Sequence, residues 1–541
     1  MVKIICNFFM MLLVLSAPVS MFAEGTPSIW KNYSGVALAN ESGGLVVNFI
    51  SDPSNGHYPS YNYNSDTLNR LYVYVDDHTT ETINFGFNVR RLWFNGCGSG
   101  NTNGNYTNGR IAAGNAVYWR LKDPSGNIVM SDSIPAYNGG TTASTTSGYI
   151  GTYAEASNGP DGLNGVTTAG YTPATYNPTA SGDYYFEFNY GHASNAFDAS
   201  SCSWGTIEFQ YFDISVSESS ASIDGRVWSR LWALSTVNRS PADGIALNSS
   251  KFHVYTDDSI ITRIDFDSIY PGNWNVFANE DGVGSSGTFN LDSRSDNSPA
   301  TALQRKNKVF LNTPDTLNFP TREVARTVSP VYIQKCDTGQ QCIMVDLNRA
   351  SEINLYIEVN DTAGYQLGSS DLLLTNISGE IGLNCVDWDG LDGNGDTIPD
   401  GDTIYIQVVF QSDVTQLPLQ DIESNPNGLK ITLELPISGY TAAYWNDTLI
   451  TGGGSNLTGC IYDGSGSGCH TWTGDFGSGI GNGNVINTYW YSTLDTLVPV
   501  VVIDSLFTIG IDQDTLDAAC IDNDTIDPGS IMMTTMMGFL M

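Results

Sequence analysis

Beyond residue 23, this chain never keeps apolar side chains at helical spacing for three turns. Its Tyr, Thr, Val and Ile instead fall in short runs of about four to eight residues, broken by clusters of Gly, Asn, Asp and Ser. Side chains of an extended strand point alternately to opposite faces, so a period of two marks a strand with one buried side. Asp183-Tyr-Tyr-Phe-Glu-Phe-Asn189 and Thr403-Ile-Tyr-Ile-Gln-Val-Val-Phe410 alternate in this way, and Gly44-Leu-Val-Val-Asn-Phe-Ile50 reads as a further strand. The expected fold class is all-β, with tandem antiparallel β-sandwich domains of immunoglobulin-like or jelly-roll-like type.

A chain of 541 residues is too long for one domain. Residues 1–23 read as a cleaved signal peptide. Lys3 supplies the positive charge, Ile4 to Leu15 is apolar but too short to span a bilayer, and Ala23 ends the segment, with Met21 two residues before it. Cys6 lies at the start of the apolar stretch and so cannot take a lipid at the cleavage point. No later segment is long and apolar enough for a membrane helix, so the expectation is an exported protein, secreted or held at the cell surface. The expected modules are 24–218, carrying long Gly/Asn/Thr surface loops at 95–115 and 138–175, then 223–345, 346–412 and a Gly-rich β region at 413–500. The acidic, Met-rich stretch 501–541 reads as the end of a fragment or of a truncated reading of a longer protein. Leu71-Tyr-Val-Tyr-Val-Asp-Asp-His recurs as Phe252-His-Val-Tyr-Thr-Asp-Asp-Ser, each followed by a second strand, which suggests two related modules.

With Lys3 removed, 21 of the 22 basic residues face all 57 acidic ones. That excess repels phosphate and anionic lipid, so nucleic acid is excluded as a partner. Cys6 leaves with the signal, and the other eight of the nine cysteines suggest disulfides in an exported chain. Cys336 with Cys342 and Cys460 with Cys469 would close small loops; Cys97 with Cys202 is the third expected pair, and Cys385 with Cys520 the remainder.

Within residues 387–402, oxygen-bearing side chains at Asp387, Asp389, Asp392, Asn394, Asp396 and Asp400 are interleaved with glycines. Asp392, Asn394, Asp396 and Asp400 have the 1, 3, 5, 9 spacing of a Ca²⁺ loop, although position 12 is Thr403 where a bidentate Glu would be needed. Two readings stay open: a weak Ca²⁺ site, or a structural turn. The run also resembles, through Trp388-Asp-Gly-Leu-Asp-Gly-Asn-Gly and Pro399-Asp-Gly401, the hairpin signature of FlgD-type immunoglobulin-like domains. Ile353–Val359 and the turn Asp361-Thr-Ala-Gly364 match the strand and turn that precede it in that family. The resemblance implies a structural turn between two long strands of a small sandwich at about 346–412. Together with the signal peptide and tandem β modules, it is similar in style to surface proteins of gliding Gram-negative bacteria exported by type IX secretion. That implies a structural or adhesive role, although no sorting domain is recognisable.

Catalytic patterns are thin. G-x-S-x-G, P-loop and H-E-x-x-H motifs are all missing. His57, His78, His192, His253 and His470 are scattered, and His253 and His470 read as packed or loop residues. Asp76-Asp77 and Asp257-Asp258 are neighbours in extended chain, so their carboxylates diverge instead of facing each other as glycoside hydrolysis requires. Tyr58, Tyr61 and Tyr63, in a Ser/Asn/Pro-rich loop, are candidates for a sugar-stacking platform; Tyr489-Trp490-Tyr491, Trp228 and Trp232 read as core. The expected protein is therefore not an enzyme. It is a surface or secreted protein with a glycan or protein ligand, or else a carbohydrate-binding module array, with Ca²⁺ as the one candidate cofactor.

Overall fold

The computed structural model describes residues 24–29, 44–48, 70–95, 116–134, 147–191, 204–235, 247–297, 305–335, 341–360, 366, 368–399, 402–410, 414–474, 479–481, 483–492 and 496–501. They are nearly all β, with three short helices, as the period-two runs require. Every strand-to-strand ladder is antiparallel.

Two long sheets dominate. In the first, the neighbours run Ala174–Tyr176, Glu81–Asn95, Trp204–Glu218, Gly44–Asn48, Trp232–Ser235 and the C-terminal half of Ile261–Val276, and then Val414–Ser424, Val485–Tyr491, Ala442–Asn446 and Ser455–Ile461. In the second they run Ile128–Ile134, Ala116–Lys122, Gly182–Gly191, Leu71–Val75, Val227–Ser229 and Lys308–Phe310, and then Leu247–Tyr255, the N-terminal half of Ile261–Val276, Leu429–Leu435 and Gly439–Tyr440. Ile261–Val276 passes from one sheet into the other. Its ladder slips on both sides of Pro271, which has no N–H to give, and such bulges bend a strand out of its sheet.

The inner faces meet in one continuous core that reaches from Ile29 to Trp490. Phe85 and Phe87 of the first sheet meet Phe186 and Phe188 of the second edge to face, at centroid distances of 4.9 to 5.5 Å. Farther along, Phe252 crosses to Trp274, and Trp490 Nε1 donates across the layers to Thr262 Oγ1. Burying a large aromatic ring is worth roughly 2–3 kcal/mol, so this stripe is a main source of cohesion.

The expected modules 24–218, 223–345 and 413–500 are therefore not separate sheets. Gly44–Asn48 bridges Trp204–Glu218 to Trp232–Ser235, and Ile261–Val276 bridges onward to Val414–Ser424 and Leu429–Leu435. The recurring strand–Asp-Asp–strand pattern forms a strand, a turn and a strand in both copies. The pairing differs, however. Leu247–Tyr255 is laddered to Ile261–Val276, whereas Leu71–Val75 has Gly182–Gly191 and Val227–Ser229 as neighbours and sends its partner strand into the opposite sheet. The described part of the expected loop 138–175 is packed as well. Thr152 and Glu155 form a capping box on helix Tyr153–Asn158, and Ile150, Ala156 and Tyr171 are buried with Tyr211.

A smaller sandwich has its own core, from Ala325 to Phe410. Its three-stranded sheet is Tyr332–Lys335, Gln341–Leu347 and Gly382–Trp388; its four-stranded sheet is Leu372–Gly379, Ser351–Glu358, Thr403–Phe410 and Thr496–Val501. It takes strands from both sides of the expected 346–412 unit. The chain leaves it at Phe410 for the large sandwich and comes back at Thr496. At the junction, Val324 packs on Ile260 and Leu433, Arg322 N–H donates to Ser259 C=O, and Arg349 pairs with Asp258 at 3.7 Å. The second Asp-Asp turn is thus part of this seam.

Disulfide pairing corrects two expectations. Cys342 is bonded to Cys385, across neighbouring strands, and so not to Cys336; Cys385 is correspondingly unavailable to Cys520. Strand register brings Cys342 and Cys385 onto one face, a proximity that sequence spacing does not reveal. Cys460–Cys469 is formed as expected. Cys97, Cys202, Cys336 and Cys520 lie outside the described residues.

Candidate functional site

The acidic run starts on strand Gly382–Trp388 and joins it to Thr403–Phe410, which lies in the opposite sheet. It is therefore a crossing between layers, with a tight turn inside it where Leu391 bridges to Thr397. Gly390 and Gly395 take positive φ, the region open to residues without Cβ. The carboxylates cap this turn. Asp389 Oδ1 accepts Leu391 N–H, and Asp392 Oδ1 accepts both Asn394 N–H and Asp396 N–H at 2.9 Å. The turn leans on the residues before strand Leu372–Gly379, where Gly393 N–H donates to Ser370 C=O. There Asp371 accepts the amides of Val359, Asn360 and Gln366.

Among the described residues, the one metal-spaced group is Cys342, Cys385 and Asp387, and its two sulfurs are joined as a disulfide. Asp387 points from the strand beside that disulfide, apart from the turn. Among the described residues, Asp389, Asp392 and Asp396 belong to no metal-spaced group of His, Cys, Asp and Glu side chains, and Asp400 lies outside the described residues.

Tyr58, Tyr61 and Tyr63 lie outside the described residues. Other aromatics form a strip on the outer face of the second sheet. Tyr72 stacks on Trp228 at 4.1 Å; Lys308 caps Trp228 at 4.6 Å, and Arg70 caps Tyr185 at 4.0 Å. Phe319 packs against Phe310, and Tyr255 donates to Pro320 C=O, so the segment after the Lys308–Phe310 strand lies over the strip. Trp228, Tyr72 and Tyr185 are buried, as are Trp232, Tyr489 and Trp490.

An open aromatic pair lies at one end of the large sandwich. Tyr440 is 41% exposed and meets Tyr462 edge-on at 5.4 Å. Lys430 lies over the Tyr462 ring and is fixed by Asp267 at 2.9 Å. Hydrogen bonding to Asp267 holds the Lys430 ammonium above its ordinary range. Cys460–Cys469 pins the loop that carries Tyr462, and Gly464 lets that loop pass close to the Tyr440 hydroxyl. Leu457 and Ile461, on the neighbouring edge strand Ser455–Ile461, are also exposed. Sequence reading missed this pair; Tyr462 within a short Cys460–Cys469 loop was the available signal.

The described histidines serve the framework. His253 Nδ1 is 2.6 Å from Glu434 Oε2; burial raises the Glu434 carboxyl, but the hydrogen bond from His253 and its charge outweigh that and hold it below the usual range. His470 bonds Asp447 and Thr488 in the interior, and His78 bonds Ser181 at the surface. His57 and His192 lie outside the described residues. Two bonded cysteine pairs suit a non-reducing, extracellular setting, and among the described residues no helix is long and apolar enough to cross a membrane. The class these features define is an all-β, multi-sheet, disulfide-bonded protein. Compared with protein-family models, curated proteins and solved structures, the chain matches none.

Proposed function

We propose that this is an exported, non-catalytic surface protein of structural and adhesive type, in which a stiff β body presents a glycan-contacting end. The observation that carries the reading is the Tyr440–Tyr462 pair beside the fixed Lys430–Asp267 ion pair. Open aromatic rings suit the apolar C–H faces of a sugar, and a held ammonium and carboxylate suit its hydroxyls. The disulfides and the signal-like leader support export. The tie to gliding bacteria and type IX secretion rests on the sequence resemblance.

The alternative, a carbohydrate-binding array in a polysaccharide-acting protein, needs further open platforms of this kind. The test is binding of a panel of β-glucan, chitin and pectin oligosaccharides by calorimetry, with wild type and a Tyr440→Ala/Tyr462→Ala double variant. Binding that disappears in the double variant while the melt is kept supports the reading. Equal binding by both proteins sinks it.

A further inference from the structure

Glu24 is the residue that follows the expected signal cleavage, yet it is interior, only 1% exposed. Glu24 and Gly25 pair with Ile214 and Asp213 in the first sheet. Gly25 comes so close to the Phe212 carbonyl that a Cβ there would clash. The next residues are stitched in too: Thr26 Oγ1 accepts from Phe212 N–H and donates to Phe212 C=O, and Ile29 C=O accepts Ser250 Oγ. The start of the expected mature chain is thus a built part of the core.

The Asp213 carboxylate lies against this start, fully buried. Its hydrogen-bond partners are the Tyr171 hydroxyl at 2.7 Å and the Ser215 hydroxyl, and Gly25, next to Glu24, is its Cα neighbour across the ladder. All are neutral. The Glu24 side chain adds a second buried carboxylate, held by the amides of Gly225, Arg226 and Val227 and facing Asp224. Arg226 directs its guanidinium to Glu81 at 3.0 Å and Asp315 at 2.9 Å. A carboxylate buried among neutral donors is costly, and buried charges are ordinarily paired. Among the described residues, the group at this place that can become a cation is the Glu24 nitrogen itself.

We propose that hydrolysis of the Ala23–Glu24 bond creates an α-ammonium buried against Asp213, so that removal of the leader completes the fold. Water adds to the Ala23 carbonyl carbon and the C–N bond breaks. Ala23 departs as a carboxylate with the leader, and the released Glu24 amine takes up the proton; the catalyst is a peptidase that cuts after a small residue. A neutral amide on the strand paired with Asp213 is thereby replaced by a charged group with three N–H donors. The proposal rests on the export reading above.

The experiment starts with N-terminal sequencing of the exported full-length protein. A start at Glu24 is expected; a different start overturns both the cleavage reading and the proposal. The processed protein is then compared with the same chain carrying one Gly before Glu24, and with Asp213→Asn. The extension is expected to lower the melting temperature by several degrees and Asp213→Asn to remove that difference. The α-amine of the processed chain is expected to react with an acylating reagent at least about tenfold more slowly folded than unfolded. A correctly processed chain whose amine reacts as fast folded as unfolded, or which melts together with the Gly-extended form, overturns the proposal while leaving export intact.

Discussion

His470 Nε2 lies 2.8 Å from Asp447 Oδ2 in the core, with His470 2% exposed. The other carboxylate oxygen of Asp447 accepts the Ser295 hydroxyl, and His470 Nδ1 faces Thr488 Oγ1 at 2.7 Å. The ring also stacks on Trp445, at 4.5 Å and nearly parallel. Histidine, acid and hydroxyl meet here, and this knot ties loop to strand inside the protein. His470→Ala should leave Asp447 a buried, half-satisfied charge and cost about 3 kcal/mol. Urea unfolding of the variant checks this; a loss below about 1 kcal/mol would make the knot incidental.

Cys342–Cys385 closes a loop of 43 residues across neighbouring strands. In the chain-entropy account such a cross-link is worth about 4 kcal/mol, and removing it should lower the denaturant midpoint of the small sandwich. Non-reducing peptide mapping should recover a Cys342–Cys385 peptide; recovery of Cys336–Cys342 would refute the assignment.

The turn capped by Asp392 separates hairpin chemistry from calcium binding. Asn keeps the side-chain oxygen that accepts the amides of Asn394 and Asp396, whereas Ala removes it. Asp392→Asn should therefore be near neutral and Asp392→Ala should cost about 1 kcal/mol, both the same in Ca²⁺ and in chelator. A calcium-dependent melt lost in Asp392→Asn would restore the metal reading.

Acid response gives a further check. In a chain that continues ahead of Glu24, burial pushes Asp213 up to about 7 and Asp224 up to about 6, and raises Glu24 well above its ordinary value. Between the unfolded value near 4 and these values the folded state holds more protons than the unfolded one, so stability falls as pH rises through that window. It is greatest below about pH 4 as far as these groups are concerned. Asp213→Asn should flatten the slope of melting temperature between about pH 4 and 7. An unchanged slope would show that Asp213 ionises as an ordinary carboxylate.

How much of this was legible follows from what each feature depends on. The strand runs were readable because Asp183–Asn189 and Thr403–Phe410 carry their own period. The module boundaries were not, because continuity depends on short strands such as Gly44–Asn48 and Trp232–Ser235, whose partners are distant in sequence. The 147–175 segment read as loop because its Gly, Asn and Thr content hid a capping box and a buried Tyr171. In the acidic run, ligand spacing was visible but side-chain direction was not: Asp389 and Asp392 turn onto the amides of Leu391 and Asn394. Tyr440 and Tyr462 meet only through the fold of the Cys460–Cys469 loop.

The return of the chain to the small sandwich has a kinetic meaning. Thr496–Val501 completes a sheet whose other strands lie between Ser351 and Phe410, after Val414–Tyr491 has gone to extend the large sandwich. Neither body can be finished from an N-terminal portion. A ribosome or a translocation pore that delivers this chain from its N-terminal side must release it through Val501 before this ladder can close. Assembly is then governed by encounters between strands far apart in sequence, the slow, high-contact-order regime in which unpaired edges stay exposed longest and a holding chaperone has most to do.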